Sequence, residues 1–388
     1  MMRSLVVMLA ITSFTARGQD TTAFKPALHF NGYVKGMPSV SWSPLLNTTA
    51  VSGLLHNRLN FHADLLRGLR AGVEFRDRVF VGDQVRDDPT LAHGLEMDPG
   101  LVDMSWVWLK EDAFVGHTII DRAWLEYERG HFVARAGRQR INWGLDLVWN
   151  PNDIFNAFNY LDFDYEERPG SDAISLRYFT GVSGQVELAV KADSSDQRVA
   201  AGMYRFHVGS YDLQVIGGQY RDDAAVGAGW AGNLGGSGLK GETTVFIPTD
   251  QDTTDATSIS FTSTVDHSFR NGLYLIVSGL YNSNGAATPA EVSGGDVIAR
   301  QVSPKNLMPF RSTGMVSVTY AFNPIISGSL AVLGSPGPNA LILFPSLSVS
   351  LANNWQLDVF YQGYWQEVPT LGFRGIGDAA YARVKWSF

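Results

Sequence analysis

Ala380-Tyr381-Ala382-Arg383-Val384-Lys385-Trp386-Ser387-Phe388 alternates without a break. Ala380, Ala382, Val384, Trp386 and Phe388 share one face, and Tyr381, Arg383, Lys385 and Ser387 share the other. Successive side chains of an extended strand point to opposite sides, so this stretch reads as a strand between an apolar and a wet medium. The same period appears just upstream, where Trp355, Leu357, Val359 and Tyr361 alternate with Gln356, Asp358 and Gln362. Far from both, Leu55, Leu59, Phe61, Ala63 and Leu65 alternate with His56, Arg58, Asn60, His62 and Asp64. Soluble sandwiches alternate too. The number of segments and the gaps between them separate the two cases.

Candidate strands fall at 27–37, 54–65, 70–79, 118–128, 131–140, 172–180, 184–191, 198–208, 211–220, 224–231, 238–247, 256–267, 272–282, 312–322, 325–333, 339–350, 354–364 and 379–388. Every second connection is short: 66–69, 129–130, 181–183, 209–210, 232–237, 268–271, 323–324 and 351–353. The long connections, 80–117, 141–171, 283–311 and 365–378, all fall on the other beat. Short turns at one end and long loops at the other are the habit of membrane barrels. A soluble β-protein has no reason to sort its loops this way. The expected fold is all-β: a transmembrane antiparallel up-and-down β-barrel of about 18 strands, with 16 as the alternative. Both termini would be periplasmic.

Composition agrees. The apolar residues, 45% of 388, are dispersed, and 40 glycines suit many tight turns. Past the first 20 residues no apolar run approaches the ~18 residues of a membrane-spanning helix. The first residues read as a secretory leader: Arg3, then apolar Leu5 to Ile11, then Ala16-Arg17-Gly18 before Gln19. The expected division is a signal peptide at 1–18 and one barrel at 19–388. Without Arg3 and Arg17 the chain keeps 28 basic against 38 acidic residues, a formal charge of −10. That balance argues against nucleic acid as a partner. With no cysteine, disulfides, thiolate chemistry and lipoprotein anchoring are excluded.

Charge also decides which face meets lipid. An arginine facing lipid near the bilayer midplane costs about 2–4 kcal/mol. Arg58, Arg76, Arg122, Arg135, Arg177, Arg205 and Arg383 all sit opposite aliphatic faces, so they are expected to line the lumen. Trp355, Trp386, Phe388, Tyr127 and Phe322 fall near strand ends on the short-turn side, as an aromatic girdle would.

The closing strand resembles the terminal strand of outer-membrane proteins, in which an alternating strand with a final aromatic is read by the barrel-insertion machinery. Trp386 and Phe388 would be that signal here. A second resemblance is more particular. Ala123-Trp124-Leu125-Glu126-Tyr127, then Phe132 to Gly144 with Gly137-Arg138-Gln139 and Trp143-Gly144, then Trp149-Asn150-Pro151-Asn152-Asp153, is similar to a hairpin and loop of phosphate-selective-porin and alginate-export-like barrels. It covers about 35 residues, a length that bears on the superfamily and not on a solute. The partners implied are outer-membrane lipid and lipopolysaccharide, the insertion machinery and small hydrophilic solutes. A homo-oligomer stays open.

Two readings of the arginines stay open as well. They could pair across strands with Asp64, Glu74, Glu126, Glu128 and Glu187 as stiffening ladders, or form a basic wall that favours anions. Arg138 and Arg140 share parity with Ala134 and Ala136, so either Gly137 makes a bulge that resets the face or the strand has left the hydrocarbon. The loop holding Trp143, Trp149 and Asp153 is expected either to pack on its own aromatics, to fold inward as a constriction, or to stack on sugar rings. Trp106 and Trp108 in 101–110 suggest a short helix over or inside the mouth. Asp250, Asp252 and Asp255 lack the spacing of a calcium loop, and no metal or other cofactor is expected. No nucleophile elbow, zinc-helix motif or phosphate loop appears. The expected function is a porin-like channel in the outer membrane for passive or weakly selective diffusion of small hydrophilic solutes, with anions as one candidate class. The alternative is a barrel serving surface-polysaccharide attachment, export assembly or adhesion.

Overall fold

A computed structural model describes residues 24–158, 167, 170–195, 197–250, 256–292 and 302–388; the leader at 1–18 lies outside them. The elements are β1 (Ala27–Ser43), β2 (Thr48–Leu66), β3 (Leu69–Gly82), α1 (Asp83–Arg86), α2 (Leu91–Glu96), β4 (Ser105–Glu111), β5 (Phe114–Arg129), β6 (Phe132–Gln139), β7 (Ser171–Phe179), β8 (Gln185–Ala192), β9 (Arg198–Val208), β10 (Tyr211–Tyr220), β11 (Asp223–Leu234), β12 (Ser237–Pro248), β13 (Ser258–Ser268), β14 (Leu273–Asn282), β15 (Ser312–Ala321), β16 (Ile326–Ser335), β17 (Ala340–Ala352), β18 (Trp355–Val368) and β19 (Gly372–Ser387). Each wall strand pairs antiparallel with its neighbours, and β19 returns to β1 with Tyr33 opposite Ser387 and Trp42 opposite Asp378. Gly32 and Phe388 exchange both backbone hydrogen bonds at 3.0 Å, which finishes the seam. Eighteen strands form the closed wall and β4 is an extra one. Closure matters because an open edge in lipid would leave N–H and C=O groups without partners.

The burial pattern is inverted relative to a soluble protein. Leu55, Leu188, Val190, Val215, Val226 and Val316 are exposed on the outer surface, while Arg58, Glu242 and Asp358 are buried inside. The aromatics expected at a girdle lie at the short-turn end: Trp355 and Trp386 stack at 6.1 Å and Phe388 packs on Phe30 at 5.4 Å. Gly130 and Gly209 open two-residue turns with φ of +60° and +64°, the left-handed backbone that twist-matched hairpin turns require.

Three expectations need correction. β1 and β2 are 17 and 19 residues long, so their outer connection shrinks to 44–47. Ser39, Ser41 and Ser43 alternate with Val40 and Trp42, and this stretch pairs with Thr48 to Ser52 of β2. β19 likewise starts at Gly372. Residues 101–110 hold no helix: among the described residues the α-helices are the short α1 and α2, and Trp106 and Trp108 lie on β4, 43% and 52% exposed on its outer side and not in the lumen. The reason is an edge. β6 reaches only Ala123 on β5, through Arg138, and β4 fills the rest of that edge from Ile119 to Phe114. Finally, pairing runs unbroken through Gly137 on both sides, so no bulge resets the face of Arg138.

Candidate pore and its constriction

Five of the arginines expected in the lumen come from the neighbouring strands β2, β3, β5, β6 and β7, with Arg205 on β9, and closure brings β19, which carries Arg383, beside β1. Arg58 on β2 is the centre of the group. Its Nη1 donates to Asp121 Oδ2 at 2.7 Å, its Nη2 to Glu74, and its Nε to Asn60 Oδ1 at 3.1 Å. Glu167 lies 3.6 Å from Nε and accepts the Tyr33 hydroxyl at 3.0 Å. Arg76 faces Arg58 across β2 and β3, and Arg122 faces Glu74 across β3 and β5. Both Arg76 and Arg122 are buried. Parity alone would send Asp121 to lipid if Arg122 faces inward. A register shift between Glu74 and Phe75 makes Asp121 an extra residue on β5, and the bulge turns both side chains inward. Asp121 Oδ2 is 4.0 Å from Arg122.

Arg135 donates to Glu126 through Nε at 2.7 Å and lies 4.4 Å over the Trp124 ring. Arg177 pairs with Glu187 at 3.2 Å, Arg205 donates to Gln214 at 2.7 Å, and Arg383 to Asp358 at 2.8 Å. Arg135 and Arg177 remain 30% and 38% exposed, whereas Arg58 and Arg383 are buried at 1% and 9%. Cross-strand ion pairs are therefore present, with Asp121 and Asp358 added to the acids that the sequence suggested; Asp64 instead meets His29 at 3.1 Å.

The opposite wall is covered from within by two loops. Ile141, Trp143, Ile154 and Phe155 pack on Met203, Ile216 and Phe246. Val148 and Trp149 join Leu307, Met308 and Phe310 from the second loop, against Leu280, Met315, Leu333 and Ile342. Trp143, Trp149 and Asp153 are all buried, so neither indole face is open to a sugar ring, and the stacking reading fails on that ground. The loop at 141–157 is held by polar pegs. Glu242 on β12 accepts the backbone N–H of Leu145, of Asp146 at 2.6 Å and of Asn152 at 3.0 Å, plus Asn150 Nδ2 at 3.1 Å. Thr244 donates to Asn152 at 2.7 Å, Gln214 to the Trp143 carbonyl at 2.6 Å, and Thr264 to Asp146 at 2.7 Å. Burial pushes the Asp146 carboxyl up from its ordinary range. The second loop is tied by Ser260 to the Pro304 carbonyl at 2.9 Å and by Lys305 to Asp223 at 2.8 Å.

Glu242, Gln214, Thr244 and Thr264 were not among the residues singled out in the sequence. Parity places them on the lumenal face, but no local signal names a partner a hundred residues away. Among the described residues no group of three His, Asp or Glu side chains is placed to hold a metal; Asp252 and Asp255 lie outside those residues.

No family model matches the sequence, and no curated protein matches it. Solved structures do resemble the fold. A BenF-like porin from Pseudomonas fluorescens Pf-5 superposes with a TM-score of 0.61 at 9% identity, covering 93% of this chain and 98% of that one. OccK11 (OpdR) of Pseudomonas aeruginosa gives 0.59 at 9% identity over 94% and 96%. OccAB4 of Acinetobacter baumannii gives 0.57 at 11% identity over 93% and 98%. The fold is that of outer-membrane porins.

Proposed function

We propose that this porin-fold barrel is an outer-membrane diffusion channel for small hydrophilic solutes, with anions favoured along the wall of β2 to β7 and β19. The observation that carries the proposal is the asymmetry of the lumen. Apolar and hydroxyl contacts bury the β9–β18 side under two loops, which leaves the path on the side of the arginines. Guanidinium forks suit carboxylate, sulfate or phosphate, and at physiological salt the screening length is about 8 Å. Only a narrowed path lets such charges act on a passing ion. That narrowing is assigned to the level of Arg58, Arg76 and Arg122.

Planar-bilayer recording in a salt gradient tests this. Replacing Arg58, Arg76, Arg122 and Arg135 with Gln should shift the reversal potential towards cations while the barrel still migrates as a folded species. An unchanged potential in a folded, conducting variant rejects anion preference. A wild type that inserts and stays silent favours the other reading, a barrel for surface-polysaccharide attachment, export assembly or adhesion. The many lumenal side chains closed over by loops are what support that second reading.

A further inference from the structure

We infer that Glu242 is the positioning residue of the constriction: its ionised carboxylate pins the 141–157 loop inside the lumen, and neutralising it releases the loop. The inference rests on the channel reading for its consequence, though not for its chemistry. Glu242 is fully buried on β12, and both its oxygens are spent on the loop. Four N–H donors converge on it: three from the backbone at Leu145, Asp146 and Asn152, and one from the Asn150 amide. Among the described residues no cation forms a direct ion pair with it, although Arg205 lies near enough to feel its charge. Arg205 on β9 is turned to Gln214, and Lys240, two residues along the same strand, is paired with Asp266 on β13 at 3.0 Å. From the loop itself Asp146 and Asp153 face this region, and β10 and β13 offer only the neutral Gln214 and Thr264.

The consequence is specific to charge. A carboxylate is acceptor-only, whereas a carboxylic acid carries one O–H donor. Proton uptake would aim that donor at an N–H, where no acceptor waits. Asp146 adds to the polar grip, since its Oδ1 accepts Thr264 and the Val148 N–H, but its partnerless Oδ2 can take a proton without disturbing either bond, so the acid response is assigned to Glu242. Acid should therefore loosen the loop and widen the path. Alkali should leave it in place.

The chain has no cysteine, so Val148→Cys, at a position 4% exposed, reports the loop by its rate of labelling with a small thiol reagent. In the otherwise wild-type barrel, labelling should be slow at neutral pH and speed up on acidification. With Glu242→Gln added it should be fast at neutral pH and insensitive to pH. Loss of one charge-assisted bond alone is expected to change the rate about tenfold. Glu242→Asp, a carboxylate on a shorter arm, should recover part of the pH response. Single-channel conductance should follow the same pattern. Slow, pH-independent labelling in a folded Glu242→Gln barrel overturns the inference. If that variant does not fold, Glu242→Asp carries the test: its labelling should be faster than that of the otherwise wild-type barrel at neutral pH and still rise in acid, and labelling identical to that barrel at both pH values also overturns the inference. Labelling does not depend on current, so a silent wild type would refute the channel reading and leave the test of Glu242 intact.

Discussion

Arg138 shows how one side chain can break a face rule without breaking the strand. It lies on the outward parity of β6, yet it is only 4% exposed because the segment at 98–104 crosses over it. Its guanidinium holds Asp98 at 2.6 Å and Asp172 at 2.7 Å, and donates to the Val102 carbonyl at 2.7 Å. Removing one partner of a buried ion pair typically costs about 3–5 kcal/mol, because the other charge stays behind unpaired. Arg138→Ala should lower the temperature of heat-modifiable unfolding, and Arg138→Lys should rescue little, lacking the fork that spans two carboxylates. A wild-type unfolding temperature for Arg138→Ala would show that the clasp carries no stability. Asp77 is the complementary case. Its carboxylate faces outward on β3 and is tolerated there because Asn57 donates to it at 3.0 Å and Thr118 at 2.6 Å.

Among the elements, α1 and β4 complete the outer rim where β6 stops short. α1 is joined to β2 by Asp83, whose carboxylate accepts the Val51 N–H at 2.8 Å and Arg86 at 2.9 Å. Those bonds hold the Asp83 carboxyl below the usual carboxylate range. A lowered value means that the contact contributes above the unfolded-state pKa and fades as pH falls through the folded one. Protease cleavage within 83–104 should thus rise in acid, and Asp83→Asn should reproduce that sensitivity at neutral pH. Equal cleavage of Asp83→Asn and wild type at neutral pH would show that the rim is held elsewhere. The Trp-bearing segment at 101–110 reads from its sequence as a mouth-covering helix because it is apolar and lies in a long gap. What makes it a strand is the vacant edge of β5, a demand that arises only after β3 and β5 have paired.

At the scale of the whole barrel, closure depends on the last residue. Phe388 pairs with Gly32 through the backbone and packs its ring on Phe30 and on Trp386, the latter at 5.0 Å. Phe388→Asp places a charge on the lipid face at the seam. It should lower the amount of heat-modifiable barrel in the outer membrane, whereas Phe388→Tyr should be tolerated. Wild-type levels of the Asp variant would mean that neither insertion nor closure reads this residue.

The wall could be read from sequence alone because its signals are local. A period of two assigns faces within one strand, and gap lengths assign ends between neighbours, so Arg58, Arg135, Arg177, Arg205 and Arg383 could be set on the face opposite the aliphatic side chains before any contact was known. Parity failed at Asp121, where a bulge inserts one residue, and at Asp77 and Arg138, where neighbours satisfy an outward charge. The lumen itself belongs to the tertiary structure. Whether Trp143 and Trp149 cover the mouth or fill the interior turns on Glu242, Thr244 and Thr264 meeting the loop across about a hundred residues. Those residues become neighbours only when the sheet curls shut, since a hydrogen bond is satisfied by proximity in space and leaves no period in the chain.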